Sequence, residues 1–406
     1  MRILHVNVRL QEGGAARIAL DLHRRLLDAK IESQFAYGWG EKGGKSSAEA
    51  DIPFSFQVGN QVQVAGNVLI HKLAGVDSLP PLGAGKNKLV EAIRWADVVH
   101  LHAVHSYFLP FEWLVHELIR TGKPVIWTAH DYWMLTGRCA FTEGCEAWRD
   151  GCGACKSGDN YPSARLDFSA AQFKRRRQAL ASLGALLHVI CPSEFVAHAF
   201  RAGLPDTRIS VIANWLDSEF EAVLQGVSLS ETALCLNKPV LKVIIIADDL
   251  ADASKVNRPV VNALLAMKHI ELHTVGRSSP FTGANVVNHG RIADRARLVN
   301  IIVAADLAVF TSEKDTFGLV MIEALACGVP VLATDSQAAR EVLAVLGLTP
   351  AGSRQALLDL LRDKSLPASY RGFSAASLGK KLLTHYSARH AVQRYQQSYA
   401  YALSCQ

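Results

Sequence analysis

Short runs of β-branched and aliphatic residues alternate with longer stretches whose apolar residues recur at helical spacing along almost the whole chain. The first half predicts strands at RILHVNV, SQFAYGW, VVHLH, PVIWTAH and HVICPS. The pattern starts again after about residue 205 with RISVIAN, LKVIIIADD, IELHTVG, VVNHG, LAVFTS and PVLATD. Strands that alternate with helices indicate parallel sheets covered by helices. The sequence therefore predicts an α/β protein with two Rossmann-like domains whose parallel sheets face each other across a cleft.

The predicted organisation has four parts: a first domain over 1–205, a cysteine-rich insert at 139–155, a second domain over 206–380, and a terminal segment over 381–406. The terminal segment is expected to form a helix that packs back on the first domain, because Tyr395, Tyr399 and Leu403 recur at helical spacing. Ligands of such sheets bind beyond the carboxyl ends of the strands, so the cleft is expected to hold the active site.

Composition narrows the class of protein. Half of the 406 residues are hydrophobic and a fifth are charged, which is typical of a globular chain rather than a disordered one. Apolar runs are too short to cross a membrane and the N-terminus lacks the pattern of a signal peptide, so we expect a cytoplasmic protein. The net charge of +6 suits an anionic ligand or lipid surface. Nucleic-acid-binding motifs are absent from the sequence.

The stretch EKDTFGLVMIEALACGVPVLATD, residues 313–335, contains the most specific chemistry. A helix that begins near Gly318 and ends at Gly328 would direct the free N–H groups of its first turn at a phosphate. Glu323 in this helix can accept two hydrogen bonds from a ribose, and Asp315 in the preceding loop can bind sugar hydroxyls. A nucleotide diphosphate sugar carries all three groups. The alternative for Asp315 alone is an ordinary acid that favours the helix dipole.

Two further features lie at predicted strand ends. Gly13 and Gly14 follow the first strand and precede an amphipathic helix, so they would allow a ligand to approach the helix N-terminus closely. The pair lacks the GxGxxG spacing and is equally compatible with a turn. His130 ends the strand PVIWTAH, where side chains of such sheets face the cleft. The cluster of His100, His102 and His105 indicates core or loop histidines, although His105 is placed to reach the cleft.

The stretch SEKDTFGLVMIEALACGVPVLATD resembles the signature of family 4 glycosyltransferases, which are retaining enzymes of the GT-B fold. EGGAARIALDL, TAHDYW, CPSEFVAHAF and VIANWLD resemble further landmarks of that family in the same order. The resemblance implies transfer of a hexose from a nucleotide diphosphate sugar, with catalytic roles for His130, Asp315 and Glu323. It implies a donor-binding set of Gly13, Gly14, Lys255, Arg258, Phe317, Gly318, Leu319 and Glu323.

Three positions depart from the family pattern. Asp315 stands where glutamate is usual, Trp215 replaces a glycine, and Asp249 in ADDLADASKVNRP occupies the position of an expected arginine. Lys255 matches the family's lysine and is expected to face the departing diphosphate, with Arg258 as the substitute for the missing arginine. An Asp-x-Asp pair is absent from the sequence, so transfer is expected without a catalytic metal.

The stretches NVRLQEGGAARIALDLH, HDYWMLTGRCAFTEGCEAWRDGCGACKSGDNYP and SPFTGANVVNHG are similar to glycosyltransferases that build colanic acid and related exopolysaccharides. This similarity implies a lipid-linked saccharide acceptor, an enzyme peripheral to the inner face of the cytoplasmic membrane, and UDP-galactose as donor, with GDP-fucose as the rival. An epimerase or a phosphorylase would share the fold, but no motif for a pyridoxal lysine is present. The departures at Asp249 and Asp315 keep a non-catalytic nucleotide-sugar-binding scaffold open.

Four cysteines, Cys139, Cys145, Cys152 and Cys155, lie close together in the insert. In a cytosolic chain such a cluster favours structural zinc, and paired disulfides or free thiols are the alternatives. The basic run FKRRRQAL is a second unusual segment. It indicates a solvated helix face or, in the alternative, contact with an anionic membrane surface.

Overall fold

A computed structural model of the protein describes residues 1–38, 52–59, 61–74, 79, 83–142, 144–155 and 165–405. The chain divides into two compact units, of which the first comprises Met1–Ile212 with Val392–Gln406 and the second comprises Ala213–Ala391. None of the helices described is both long enough and apolar enough to cross a membrane.

The first unit is built on one parallel sheet of seven strands. These are β1 (Arg2–Asn7), β2 (Glu32–Tyr37), β3 (Ser55–Gln57), β4 (Val98–Leu101), β5 (Val125–Thr128), β6 (Leu187–Cys191) and β7 (Arg208–Val211). They lie in the order β3-β2-β1-β4-β5-β6-β7. The central pair β1 and β4 places His5 directly opposite His100. Parallel strands point their carboxyl ends to one edge, so the loops after β1, β4 and β5 meet there.

Within the described part of this unit, six α-helices lie between the strands: α1 (Gly13–Asp28), α2 (Gln61–Ala74), α3 (Ala84–Trp95), α4 (Phe111–Thr121), α5 (Ser169–Leu183) and α6 (Glu194–Gly203). Helix α1 illustrates how the spacing of apolar residues favours these helices. It buries Ile18, Leu22 and Leu26, which recur at helical spacing. Helix α4 ends at Gly122, whose positive φ of 63° suits a glycine that terminates a helix.

The second unit has a parallel sheet of five strands in the order β10-β9-β8-β11-β12. Its elements are α7 (Ser218–Gln225), β8 (Leu241–Asp249), α8 (Arg258–Leu265), β9 (Ile270–Arg277), β10 (Val286–Asn288), α9 (Arg295–Val303), β11 (Leu307–Phe310), α10 (Leu319–Ala326), β12 (Val331–Ala333), α11 (Gln337–Ala344), α12 (Arg354–Arg362) and α13 (Ala375–His385). Each sheet has its own hydrophobic core of strand and helix side chains.

The strand RISVIAN differs from its predicted place. It was expected to open the second domain, but Arg208–Val211 form β7, which pairs with β6 at the edge of the first sheet. The two units therefore divide after Ile212 rather than after residue 205. Strand β3 was not predicted, because three residues are too short to show an alternating pattern.

The last helix, α14 (Ala388–Ser404), brings two buried tyrosines to the first unit. The hydroxyl of Tyr399 lies 2.7 Å from Nδ1 of His100, and that of Tyr395 lies 3.0 Å from Oγ1 of Thr128. Tyr395 and Tyr399, whose helical spacing predicted this helix, thus lie on the face that packs against the sheet. The hydrogen bonds of that face connect it to β4 and β5.

We expect Tyr399→Phe to lower the free energy of unfolding by about 1–3 kcal/mol, because Nδ1 of the buried His100 would lose its partner. The measurement is urea denaturation followed by circular dichroism. Tyr401→Phe, on the same helix with its side chain half exposed, is the matched control and should change stability by less than about 0.5 kcal/mol. Equal midpoints for the two variants would contradict the role of this hydrogen bond.

The basic run on α5 is only partly a solvated face, which corrects the prediction. Lys174 and Arg175 are exposed, whereas Arg176 is only 2% exposed. Its Cζ lies 3.5 Å from the centroid of the Trp133 ring. Nη1 of Arg176 donates hydrogen bonds to the carbonyls of Trp133, at 2.9 Å, and Thr136. This arginine therefore holds the segment that follows β5, and it is not available to a membrane surface.

Arg176→Met should lower the free energy of unfolding by about 3 kcal/mol, because two buried carbonyls would lose a charged donor. Chemical denaturation measures the change. Arg175→Met, at the exposed neighbouring position, should stay within about 0.5 kcal/mol of the parent. A comparable loss in both variants would show that the charge of the run, rather than the buried contacts, stabilises the unit.

Candidate functional site

Helix α10 of the second unit begins and ends where the sequence predicted. Its N-cap is Gly318, with φ of 92°, and Gly328 follows the last turn with φ of 74°. A Cβ on Gly318 would lie 2.5 Å from the methyl group of Met321, so a larger residue would displace the turn. Phe317, which precedes the glycine, is buried and meets Tyr386 edge to face at 5.4 Å. Packing on one side and glycine geometry on the other thus fix the start of the helix.

Glu323 lies in the middle of α10 and is paired with an arginine that the sequence did not identify. Its Oε1 is 3.7 Å from Nη1 of Arg295, and the other guanidinium nitrogen binds the carboxylate of Asp217. Glu323 is 6% exposed and Arg295 7% exposed. The guanidinium therefore compensates two carboxylates in a poorly hydrated place. At 3.7 Å the contact with Glu323 is an ion pair and is longer than a hydrogen bond.

Sequence reasoning missed Arg295 and Asp217 for a structural reason. Asp217 caps α7 by accepting the N–H of Phe220 at 2.9 Å, and Arg295 is the first residue of α9. Both have ordinary roles at helix starts in the sequence. Nothing in their spacing relates them to Glu323, because the three residues come from three separate segments of the chain. The VIANWLD landmark contains Asp217, but it gave no indication of a contact with Arg295 or Glu323.

Lys255 and Asp315 lie side by side. Nζ of Lys255 is 2.7 Å from Oδ1 of Asp315 and 3.4 Å from the carbonyl of Lys314. The two side chains are 26% and 24% exposed. Because the pair is partly hydrated, its contribution to folding is about 0–1 kcal/mol. The structure thus brings together one predicted diphosphate ligand and one predicted sugar ligand.

The loop between β8 and α8 contains the other residues of the predicted diphosphate site. Asp249, at the end of β8, accepts a hydrogen bond from the N–H of Ala251 at 2.9 Å. Arg258, at the start of α8, donates from Nη2 to the carbonyl of Ala251 at 3.2 Å. Asp249 therefore shapes the turn, and Arg258 closes the loop that also carries Lys255.

In the first unit, Gly13 is the first residue of α1 and has φ of 85°. A Cβ at this position would meet no atom of the described chain within 4 Å. Glu12, the N-cap, does not cap the helix with its side chain and instead pairs with Arg9 at 2.5 Å. Two features here suit an approaching anion. There is open space beside Gly13, next to the exposed Gly14, and the helix N-terminus has no side-chain cap.

His130 lies just beyond β5 and is partly exposed. Its Nε2 is 3.1 Å from Nδ1 of His102, which in turn is linked through Nε2 to Nδ1 of His5 at 3.0 Å. Burial lowers the pKa of His130 to about 4. At neutral pH this imidazole is therefore uncharged. His105 was expected to be a core or loop histidine placed to reach the cleft. Its Nε2 lies 2.7 Å from Oδ2 of Asp131.

The four cysteines of the insert are thiols in this structure. Sγ of Cys152 accepts a hydrogen bond from the N–H of Gly137 at 3.2 Å. Burial, together with the nearby Cys155, raises the pKa of Cys139 to about 11. In the described residues, the side chains close enough to share one ion are instead His5, His100 and His102. The zinc site in the insert stays a prediction.

Two family models match the sequence. The model described as Glycosyltransferase Family 4 matches residues 12–220, and the model described as Glycosyl transferases group 1 matches residues 281–363. The first match covers half of the chain, so the protein belongs to glycosyltransferase family 4, as the resemblance implied. Its general activity is the transfer of a sugar.

A relative supports this assignment, and two solved structures share the fold. The chain is 37% identical over 97% of its length, and 98% of the relative's, to WcaC of Escherichia coli (strain K12), whose name describes a glycosyl transferase of colanic acid biosynthesis. Sucrose-phosphate synthase from Thermosynechococcus elongatus superposes with a TM-score of 0.63 at 16% identity over all of both chains. A glycosyltransferase from Rickettsia africae superposes with a TM-score of 0.62 at 13% identity, covering 99% of this chain and 98% of its own. The predicted GT-B fold is thus confirmed.

Proposed function

We propose that this glycosyltransferase is a retaining enzyme that moves a hexose from a nucleotide diphosphate sugar to a lipid-linked saccharide. The observation that carries the proposal is the grouping around α10, where the Gly318 turn, the buried Glu323 and the Lys255–Asp315 pair lie in one unit. The similarity to WcaC supports a role in making an exopolysaccharide of the colanic acid type. A place at the inner face of the cytoplasmic membrane is part of the proposal.

The donor would be bound by three kinds of contact. Glu323 accepts hydrogen bonds from the ribose hydroxyls, while the Arg295 guanidinium keeps its carboxylate compensated. The N–H groups of the first turn of α10, which begins at Leu319 directly after Phe317 and Gly318, meet a phosphate. Lys255 turns from Asp315 to the diphosphate, and Asp315 is then available to the sugar hydroxyls. When the donor binds, Lys255 would therefore exchange Asp315 for the diphosphate, and the carboxylate of Asp315 would become available to the sugar.

Transfer with retention would proceed on one face of the sugar. The acceptor hydroxyl oxygen forms a bond to the anomeric carbon as the bond from that carbon to the diphosphate oxygen breaks, and the hydroxyl proton passes to the departing diphosphate. Lys255 and the α10 dipole stabilise the negative charge of that leaving group, so the protein needs no divalent ion for the step. His130 contacts the reacting sugars through a ring hydrogen bond, and Gly13 and Gly14 leave room for them at α1.

UDP-galactose is the proposed donor, and GDP-fucose is the alternative. A thermal-shift panel of UDP, GDP, ADP and their common sugars tests both, because a ligand of the native state raises its apparent stability. A selective rise with one base identifies the class of donor for a transfer assay. The product of that assay is then analysed for its anomeric configuration. No rise with any nucleotide at millimolar concentration would contradict the assignment.

A non-catalytic nucleotide-sugar-binding scaffold is the second candidate. The observation that favours it is the ion pair between Lys255 and Asp315. Nζ of Lys255 donates to Oδ1 of Asp315 at 2.7 Å, so this lysine already has an anionic partner other than a diphosphate. Slow hydrolysis of the donor in the absence of acceptor separates the two candidates. The enzyme is expected to release nucleotide diphosphate, and a scaffold would bind the donor without consuming it.

We further propose that Cys139, Cys145, Cys152 and Cys155 bind a structural zinc ion, since four thiolates suit zinc. Metal analysis of the purified protein should find one zinc per chain. Cys152→Ser with Cys155→Ser should abolish it, whereas the exposed Cys235 and Cys405 can be replaced by serine without loss. A metal-free parent protein that retains its native circular dichroism would refute this site.

A further inference from the structure

Three imidazoles of the first unit lie end to end, from the core of the sheet to its carboxyl edge. His5 is inside β1, His102 follows β4, and His130 follows β5. The N···N distances are 3.0 Å and 3.1 Å, and both ring centroid separations are 5.3 Å. The centroid separations exceed the N···N distances by about one ring width, so the rings are joined tip to tip. Their planes differ by only 23° and 22°, which aligns each N–H with the lone pair that accepts it.

A series of neutral imidazoles can be hydrogen-bonded in only two ways. Each ring has one N–H and one lone pair, so the donors run either from His5 to His102 to His130 or in reverse. Burial lowers the pKa of His5 and His102 well below the ordinary value, which keeps both rings neutral. The direction of the series therefore determines which nitrogen of His130 carries its hydrogen.

The free end of the series decides the direction. Nε2 of His5 is buried and has no hydrogen-bond partner among the described residues. In the reverse arrangement this atom would carry an N–H, and buried N–H groups without an acceptor are rarer in proteins than acceptors that go unused. In the forward arrangement the atom carries only a lone pair. The forward arrangement is therefore the more stable one.

We propose that His5 and His102 are positioning residues that hold His130 as the tautomer with its hydrogen on Nδ1. Because Nε2 of His130 accepts the N–H of His102, the other ring nitrogen is a donor. His130 then donates a hydrogen bond to an oxygen of the reacting sugars, and it does not act as a general base. This role in the reaction rests on the function proposed above. The tautomer itself does not.

A metal ion is the competing explanation for the cluster, because candidate ligand atoms of His5, His100 and His102 lie within 4.8 Å of one another. Both nitrogens of His100 are already engaged, Nδ1 with Tyr399 at 2.7 Å and Nε2 with Thr128 at 2.8 Å. The group also contains no carboxylate, so a divalent cation there would be buried without a compensating charge. The hydrogen-bonded series fits the geometry better.

The test uses the full chain labelled with ¹⁵N-histidine, in which the chemical shift of each ring nitrogen reports whether it carries hydrogen. The signals of His130 are assigned with His130→Asn. We expect Nδ1 of His130 to be protonated and Nε2 unprotonated in the parent protein. In His102→Leu the ratio should invert or become mixed. An Nε2–H form in the parent, an unchanged ratio in His102→Leu, or one equivalent of metal bound at the cluster would overturn the proposal.

A second pair of variants keeps the test decisive if His102→Leu does not fold. His5→Leu removes the donor at the buried end and should give mixed tautomers at His130, whereas His5→Asn supplies an amide N–H and should restore the parent ratio. His188→Leu is the control, since His188 is a buried histidine of β6 whose Nε2 is bonded to Ser210. Identical tautomer ratios in His5→Leu and His5→Asn would refute the proposal.

Activity gives an independent readout. His102→Leu should lower the rate of sugar transfer about tenfold through loss of one oriented hydrogen bond, with nucleotide affinity unchanged. His188→Leu should transfer at the parent rate. If the protein transfers no sugar but His130 has the Nδ1–H form, the function proposed above fails and the tautomer assignment holds. If transfer occurs and the tautomer is the other one, only the assignment fails.

Discussion

Replacement of Glu323 by glutamine is expected to lower the rate of sugar transfer by about 10²–10³-fold, because a charged acceptor of two hydroxyl hydrogen bonds becomes a neutral amide in a poorly hydrated site. The side chain keeps its shape, and Arg295 keeps its bond to Asp217. The fold should therefore survive. Steady-state rates with the donor selected by thermal shift provide the measurement, and circular dichroism confirms that the variant is folded.

Asp359→Asn is the matched control for Glu323→Gln. Asp359 is an exposed carboxylate on α12 of the same unit and pairs with Arg362 at 2.6 Å. Its replacement removes one negative charge and one ion pair outside the proposed donor site, so transfer should continue at the parent rate. If Glu323→Gln remains within twofold of the parent, Glu323 does not bind the donor, and the assignment of this helix to the donor site is wrong.

Lys255→Met is expected to reduce transfer by about 10²–10³-fold, because the departing diphosphate would lose its nearest proposed cation. Folding stability should hardly change, since the pair with Asp315 is partly hydrated and contributes only about 0–1 kcal/mol. The loss of rate without loss of stability is the diagnostic combination. The rate of transfer is measured as release of nucleotide diphosphate, and the free energy of unfolding is measured by urea denaturation.

Lys238→Met separates a specific effect of Lys255 from a general effect of charge. Lys238 is an exposed lysine of the same unit that pairs with Asp306, so its replacement removes an equal charge. Parent activity in Lys238→Met, together with a large loss in Lys255→Met, supports the diphosphate role. Equal losses in both would mean that net charge, rather than a contact with the leaving group, governs the rate.

The start of helix α10 was predictable from the sequence because its causes are local. Gly318 supplies a positive φ at the N-cap and Gly328 supplies another after the last turn, and both conformations favour glycine. The pairing of Lys255 with Asp315 was not predicted. The sequence assigned them to adjoining parts of one donor, and their direct contact depends on how the loop after β8 meets the loop after β11.

Other features of the site are long-range and gave no signal in the sequence. Arg295 compensates Glu323 and Asp217 from a separate segment, and no periodicity relates the three positions. Arg176 looked like one member of a charged run, but the fold placed it against Trp133 and two carbonyls. A charged side chain is buried where enough partners converge, and that convergence is a property of tertiary packing.

The sequence by itself determined the α/β class, the two series of strands, the family resemblance and the bounds of helix α10. These follow from periodicity, glycine conformation and motif spacing, which act over a few residues. Only the tertiary structure decided that β7 belongs to the first sheet, that Arg295 lies beside Glu323, and that His5, His102 and His130 form one series. Each of these depends on distant segments meeting, and strand pairing and side-chain contact across such distances are decided by how the whole chain packs.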